Sequence, residues 1–145
     1  MTIYNEEKMK QIIDFKDFEL NNYTPTDIDF VYEKNNKCWI IGEVKEEGVE
    51  VPPAQKLLFE RWLENHLKLK IPTLYIHAVH NTPPEENINL AELLIEKAIA
   101  VYPDYSKGFD IEGNVLWTGE ICKSLRGKNA YEVCQRFLLK YKDGY

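Results

Sequence analysis

Apolar and polar positions alternate over residues 27–33. Ile28, Phe30 and Tyr32 lie on one side, and Asp27, Asp29, Val31 and Glu33 on the other. A period of two predicts a β-strand. KNNK at 34–37 supplies a hairpin turn, because asparagine tolerates positive φ. The run CWIIGEVK that follows is apolar enough on both faces to be a central strand. Pro52 and Pro53 suit the first turn of a helix, which AQKLLFERWLENH continues with Ala54, Leu57, Leu58 and Trp62 inward. PTLYIHAVH at 72–80 predicts a third strand. TPPEEN then interrupts the chain, and LAELLIEKAIAVY predicts a helix. Upstream, Met9, Ile12, Ile13 and Phe15 fit a short amphipathic helix over 5–19, ended by TPT at 24–26. Downstream, FDIEGNVLWTGEI predicts a short hairpin around Gly113-Asn114. A last helix runs from about Asn129 to Tyr141, with Asn129 as its N-cap. Its apolar stripe is Tyr131, Val133 or Cys134, Phe137, Leu138 and Tyr141. The order α–β–β–α–β–α–β–α predicts an α/β fold, a mixed central sheet flanked by helices.

A chain of 145 residues suits a single domain, 1–145, with a substantial core. No apolar run approaches the roughly 18 residues of a membrane span. The opening MTIYNEEKMK lacks an apolar signal core, so a cytoplasmic protein is expected. Cys38, Cys122 and Cys134 are odd in number and show no CxxC spacing, which favours reduced thiols and gives no zinc signature. The net charge of −6 opposes nucleic-acid binding at first sight, since phosphate contacts need lysine and arginine. The distribution changes that picture. Residues 121–145 hold Lys123, Arg126, Lys128, Arg136, Lys140 and Lys142 against Glu132 and Asp143, a net of +4 that leaves −10 on the first 120 residues. A basic C-terminal region on an acidic body makes an electrostatic footprint for a polyanion, with Lys123, Arg126 and Lys128 as the candidate phosphate contacts. A solvated helix face would leave the same pattern.

The candidate chemistry lies on the two strands of the predicted hairpin. Side chains two apart on a strand share a face, so Glu43 and Lys45 project together, and the turn can bring Asp29 or Asp27 beside Glu43. Two carboxylates hold a hard divalent cation such as Mg²⁺ (or Mn²⁺), which favours oxygen ligands and keeps several waters. Such a metal neutralises phosphate charge and lowers the pKa of a bound water, while a lysine can position that water or stabilise developing charge. The triplet acid-any-Lys alone is unspecific: it also occurs at Glu6-Glu7-Lys8 and Asp14-Phe15-Lys16. Only Glu43-Val44-Lys45 ends an apolar strand with acids on the strand before it. A cross-strand Glu–Lys pair at a sheet edge is the competing structural reading.

The string TPTDIDF, a hairpin, CWIIGEVK and PPAQKLLFERW together resemble the core of the PD-(D/E)xK nuclease superfamily, which includes Holliday-junction resolvases and many restriction endonucleases. GNVLWTGEI followed by NAYEVCQRFLLKY is similar to the tail of small phage-encoded members. The resemblance implies a restriction-endonuclease-like core and Mg²⁺-dependent hydrolysis of DNA. It implies Asp29 at the first acidic position, with Asp27 as a second acid, Glu43 and Lys45 as the ExK element, and the Val44 carbonyl on the metal. It also places Gln55, early in the following helix, facing the site, and offers Glu6 or Glu7 as a further carboxylate. Threonine rather than proline precedes Asp27. Cleavage of both strands of a duplex would be served by a homodimer, although no heptad or other self-association pattern is present.

Other residues have plainer readings. His77 and His80, at the end of the third strand, are expected to be hydrogen-bonded strand histidines, with a general base as the alternative. Trp39 and Trp62 are expected in the core, and Trp117 on the surface, where it could stack a base. No glycine-rich phosphate loop or GxSxG elbow is present. The rival function is a catalytically silent protein of the same fold, acting as a protein- or nucleic-acid-binding accessory factor.

Overall fold

The computed structural model describes residues 28–101 and 125–143, together with Asp17, Leu20 and Asn21. The hairpin expected at Gly113-Asn114 falls outside the described residues, as do Glu6, Glu7, Asp27, Trp117, Cys122 and Lys123. The helix expected over 5–19 does so too, save Asp17.

Four strands form one mixed sheet in the order β1-β2-β3-β4: β1 Phe30–Lys34, β2 Cys38–Glu46, β3 Thr73–His80 and β4 Leu94–Val101. Among the described residues two helices flank it, α1 Pro53–Lys68 and α2 Ala130–Tyr141. β1 and β2 pair antiparallel, with Phe30 opposite Gly42 and Lys34 opposite Cys38. Their turn uses Asn35 and Asn36 at φ 48° and 56°, the positive values that asparagine admits. β2 pairs parallel with β3, and β3 pairs antiparallel with β4. A parallel pair needs a crossover, and α1 provides it, with Pro53 in its first turn.

β2 is buried on both faces because each is covered. On one face Cys38 and Ile40 join Leu74, Ile76, Ala98, Ala100, Phe137 and Tyr141 beneath α2. On the other, Ile41 joins Val51, Phe59, Leu63, Tyr75, Ile99 and Val101 beneath α1. At Gly42 the Phe30 side chain of β1 comes close: a Cβ built there would overlap its ring. At α2 the Asn129 side chain accepts from the Glu132 N–H at 3.0 Å, the expected N-cap.

Two readings need correction. LAELLIEKAIAVY is not a helix: it forms a single 3₁₀ turn, Leu90–Glu92, capped by Asn89, and then β4. The cause is a bulge. His77 pairs with Lys97 and Ala78 with Ile95, so Glu96 is skipped. The residues buried beneath α2 become Leu93, Ile95, Ala98 and Ala100, and the three-residue step inserted into a period of two imitates helical spacing. In α1 the buried residues are Phe59 and Leu63, while Ala54 is exposed and Leu57 is 44% exposed. The inward stripe is Gln55, Phe59 and Leu63, each four residues on; a search for apolar residues alone missed its polar first member.

Candidate active site

The hairpin turn and the Gly42–Phe30 contact bring the end of β1's approach against the far half of β2. There the Asp29 carboxylate accepts the Val44 N–H at 2.7 Å. In a strand the N–H and C=O of one residue face the same neighbour, so the Val44 carbonyl is directed toward the same edge as Asp29. Glu43 projects onto the α1 face, as Ile41 does two residues earlier, and is only 1% exposed. Lys45 follows on that face, with its ammonium 3.5 Å from Glu43 Oε2. One strand over, His77 stands beside Glu43 in the parallel register.

Burying a carboxyl penalises its charged form, and a second carboxylate adds to the penalty. The Glu43 pKa is accordingly pushed up to about 7, first by burial and then by the charge of Asp29, with Lys45 opposing. The same carboxylate helps burial to raise the Tyr75 phenol. His77 is pushed below the usual histidine range, chiefly by burial and then by Lys97. It is 2% exposed.

Buried polar groups in folded proteins nearly always have partners. Among the described residues, the buried side-chain atoms without a hydrogen-bond partner are Glu43 Oε1, Gln55 Oε1 and both ring nitrogens of His77. All three side chains belong to the α1 face of the sheet. Phe59 stacks on Tyr75 at 4.6 Å between centroids, and Tyr75 is beside Ile41 in the register. Gln55 lies one helical turn before Phe59, and His77 and Glu43 lie two residues beyond Tyr75 and Ile41. Because α1 runs back along the sheet, that turn sets Gln55 at the level of the Glu43–His77 pair.

The carboxylates fit a hard divalent cation. Glu43 Oε1 lacks a partner, Asp29 is near enough to disfavour the ionised Glu43, and the Val44 carbonyl faces the Asp29 edge. Among the described residues no three His, Cys, Asp or Glu side chains group around a metal position. Two carboxylates, a carbonyl and water are instead the kind of donor set that suits Mg²⁺.

The structure brings Asp29, Glu43, Lys45 and the Val44 backbone together and sets Gln55 at their level on α1; Asp27 and Lys123 lie outside the described residues. Arg126 bonds Glu96 at 2.6 Å and shares a cleft with His77 and Lys97, while Lys128 is exposed. His80 is the expected bonded histidine, accepting the Thr82 N–H at 3.2 Å, but His77 is not. Its position as a polar residue within the apolar run PTLYIHAVH was the available signal. Lys97 was missed because its segment was read as a helix, which left its face undefined. Trp39 and Trp62 are half-buried and meet edge to face at 5.8 Å. No family model matches this chain, and no curated protein or solved structure shows a significant match to it.

Proposed function

We propose that the protein is a divalent-metal-dependent nuclease of the PD-(D/E)xK type, acting on DNA, with the sheet as its restriction-endonuclease-like core. The observation that carries this reading is the buried carboxylate Glu43, ionisable near neutral pH, with one oxygen unpartnered beside Asp29 and Lys45. An isolated charge at a strand centre costs several kcal/mol unless a partner or metal compensates it. The Glu43–Lys45 ion pair along β2 does not account for it: 3.5 Å is long for a charge-assisted bond, and Oε1 remains unused.

Asp29 and Glu43 would hold Mg²⁺ or Mn²⁺, with the Val44 carbonyl completing the protein's donors. The metal would supply charge neutralisation at the phosphate and a water of lowered pKa. Lys45 would place its ammonium against the phosphate or orient the attacking water, and Gln55 would direct its amide into the same space from α1. Lys128 and Arg126, with Lys123, would contact the strand's phosphates.

Purified protein is incubated with Mg²⁺ or Mn²⁺ and with linear duplex, single-stranded and branched DNA, beside Glu43→Ala and Lys45→Ala. Metal-dependent cleavage by the wild type, reduced at least about a hundredfold in both variants, is expected. Equal cleavage by wild type and variants would place the activity elsewhere, and none on any substrate would favour the accessory-factor reading.

A further inference from the structure

Trp39, Trp62 and His66 make an aromatic cluster that the metal centre does not use. It stands at the other end of the α1 face from Glu43. Because α1 runs back along the sheet, its last turns lie beside the start of β2, where the Trp39 backbone N–H donates to the Pro72 carbonyl. Trp39 meets Trp62 edge to face at 5.8 Å, and the His66 ring lies 5.2 Å from Trp39 and 6.1 Å from Trp62. The polar handles are tied down: the Trp39 indole N–H donates to Asn36 Oδ1 at 3.0 Å, and His66 Nδ1 is 2.6 Å from Thr73 Oγ1. All three residues are half-buried, so the cluster stays partly open to water with its rings held in place. Edge-to-face packing also leaves at least one indole with its faces free of the other. The charge around the cluster is positive. Lys37 follows Asn36 in the hairpin turn, Arg61 precedes Trp62 on α1, and Lys68 and Lys70 stand at the helix's end; all four are exposed. The nearby carboxylates are engaged, since Glu33 accepts the Asn36 N–H at 2.7 Å and Glu64 pairs with Lys68 at 3.6 Å. Glu60 stands on the opposite flank of α1, beside His77 and Lys97. Among the described residues no carboxylate lies within ion-pairing reach of Lys37, Arg61 or Lys70. Closing the end of the core explains the rings; it does not explain three uncompensated cations beside them in a chain of net charge −6.

We propose that Trp39 and Trp62, with Lys37, Arg61 and Lys70 around them, form a binding surface for a single-stranded stretch of DNA. Such a ligand carries planar bases to stack on an indole and phosphates to meet the cations, and proteins hold single strands by that combination. Duplex DNA offers the phosphates but keeps its bases stacked on one another. Trp39 shares a face of β2 with Glu43, four residues or about 13 Å away, so unpaired nucleotides held here would lie close to the metal centre. The inference rests on the nuclease reading only in naming DNA as the nucleic acid; the binding itself can be measured without cleavage.

The full chain, with indole nitrogens labelled by ¹⁵N and divalent metal chelated, is titrated with a short oligothymidylate. The chain has three tryptophans, and Trp39→Phe, Trp62→Phe and Trp117→Phe assign their indole signals. The Trp39 and Trp62 signals are expected to move saturably, and Trp62→Leu to weaken binding about five- to a hundredfold, the worth of one stacked base. Arg61→Gln and Lys37→Gln leave the aromatic packing intact and keep the test open should Trp62→Leu fail to fold. Each is expected to lower the salt slope of binding by about 0.7, as for one phosphate contact on a single strand. A response confined to Trp117 overturns the surface. So does a duplex of the same length that moves the Trp39 and Trp62 signals as strongly, or a salt slope unchanged in both charge variants. The same preparations are assayed for metal-dependent DNA cleavage. Cleavage without a Trp39 and Trp62 response removes the surface and leaves the nuclease, whereas that response without cleavage keeps the surface and removes the nuclease.

Discussion

Glu43 is where the chemistry of single residues is most sharply set. Its pKa of about 7 in the fold exceeds the ordinary glutamate value, so between about pH 4.5 and 7 the native state binds more protons than the unfolded chain. Stability must fall as pH rises through that window. Denaturation curves in chelator should show this decline, and Glu43→Gln, which cannot ionise, should flatten it. A wild-type profile flat from pH 4.5 to 7.5 would mean that Glu43 is not the strained group inferred here. Saturating Mg²⁺ should oppose the decline, because a bound cation favours the carboxylate. Among the basic residues, Lys128 and Arg126 are expected to differ. Arg126 already bonds Glu96, so neutralising Lys128 should reduce the salt slope of DNA binding by about 1, the worth of one phosphate contact, and neutralising Arg126 by less. Salt-dependent binding curves of the two single variants decide it. At this scale the sequence was informative for Asp29, Glu43 and Lys45, whose types and spacing carry their chemistry. It was uninformative for His77, because whether a histidine finds a partner depends on neighbours brought from other strands.

Among the elements, the β1–β2 hairpin does most to build the site. Gly42 is small because the Phe30 ring lies over it, and that close approach lets Asp29 reach the Val44 N–H. Gly42→Ala should force the ring away and cost about 1–3 kcal/mol, the usual penalty of overpacking. Chemical denaturation gives the cost, and faster hydrogen exchange of the Val44 amide should accompany it; unchanged exchange would separate the ring contact from the placement of Asp29. In α2, Asn129→Ala should cost about 1 kcal/mol through loss of the cap to Glu132. β1, β2, β3 and both helices were legible, since turn asparagines, paired prolines and an N-cap asparagine are local signals. β4 was not. Its bulge replaced one step of two by a step of three, and only pairing with β3 reveals that this is a strand. The phase of α1 differs for a related reason: the polar Gln55 takes the inward position one turn before Phe59, and an apolar pattern does not register it.

For the molecule as a whole, the sheet divides the labour between its faces. The α2 face is apolar packing from Cys38 to Tyr141. The α1 face is apolar at one end, around Phe59 and Leu63, and becomes polar at the other, where Glu43, Lys45, Gln55, His77 and Lys97 lie beyond the Tyr75–Phe59 stack. Stability given up there, in a charged strand and unpartnered polar atoms, is the pattern expected where a protein keeps a binding site. Among the described residues no helix is long and apolar enough to cross a membrane.

The proposed nuclease activity requires metal at the Asp29–Glu43 edge. Titrating Mn²⁺ into ¹⁵N-labelled protein tests this directly, because the paramagnetic ion broadens amides near its site. At low Mn²⁺ the amides of Asp29, Glu43, Val44 and Lys45 should broaden first, Gln55 with them, and Glu43→Ala should abolish the effect. Broadening centred elsewhere, or unchanged in Glu43→Ala, would contradict it.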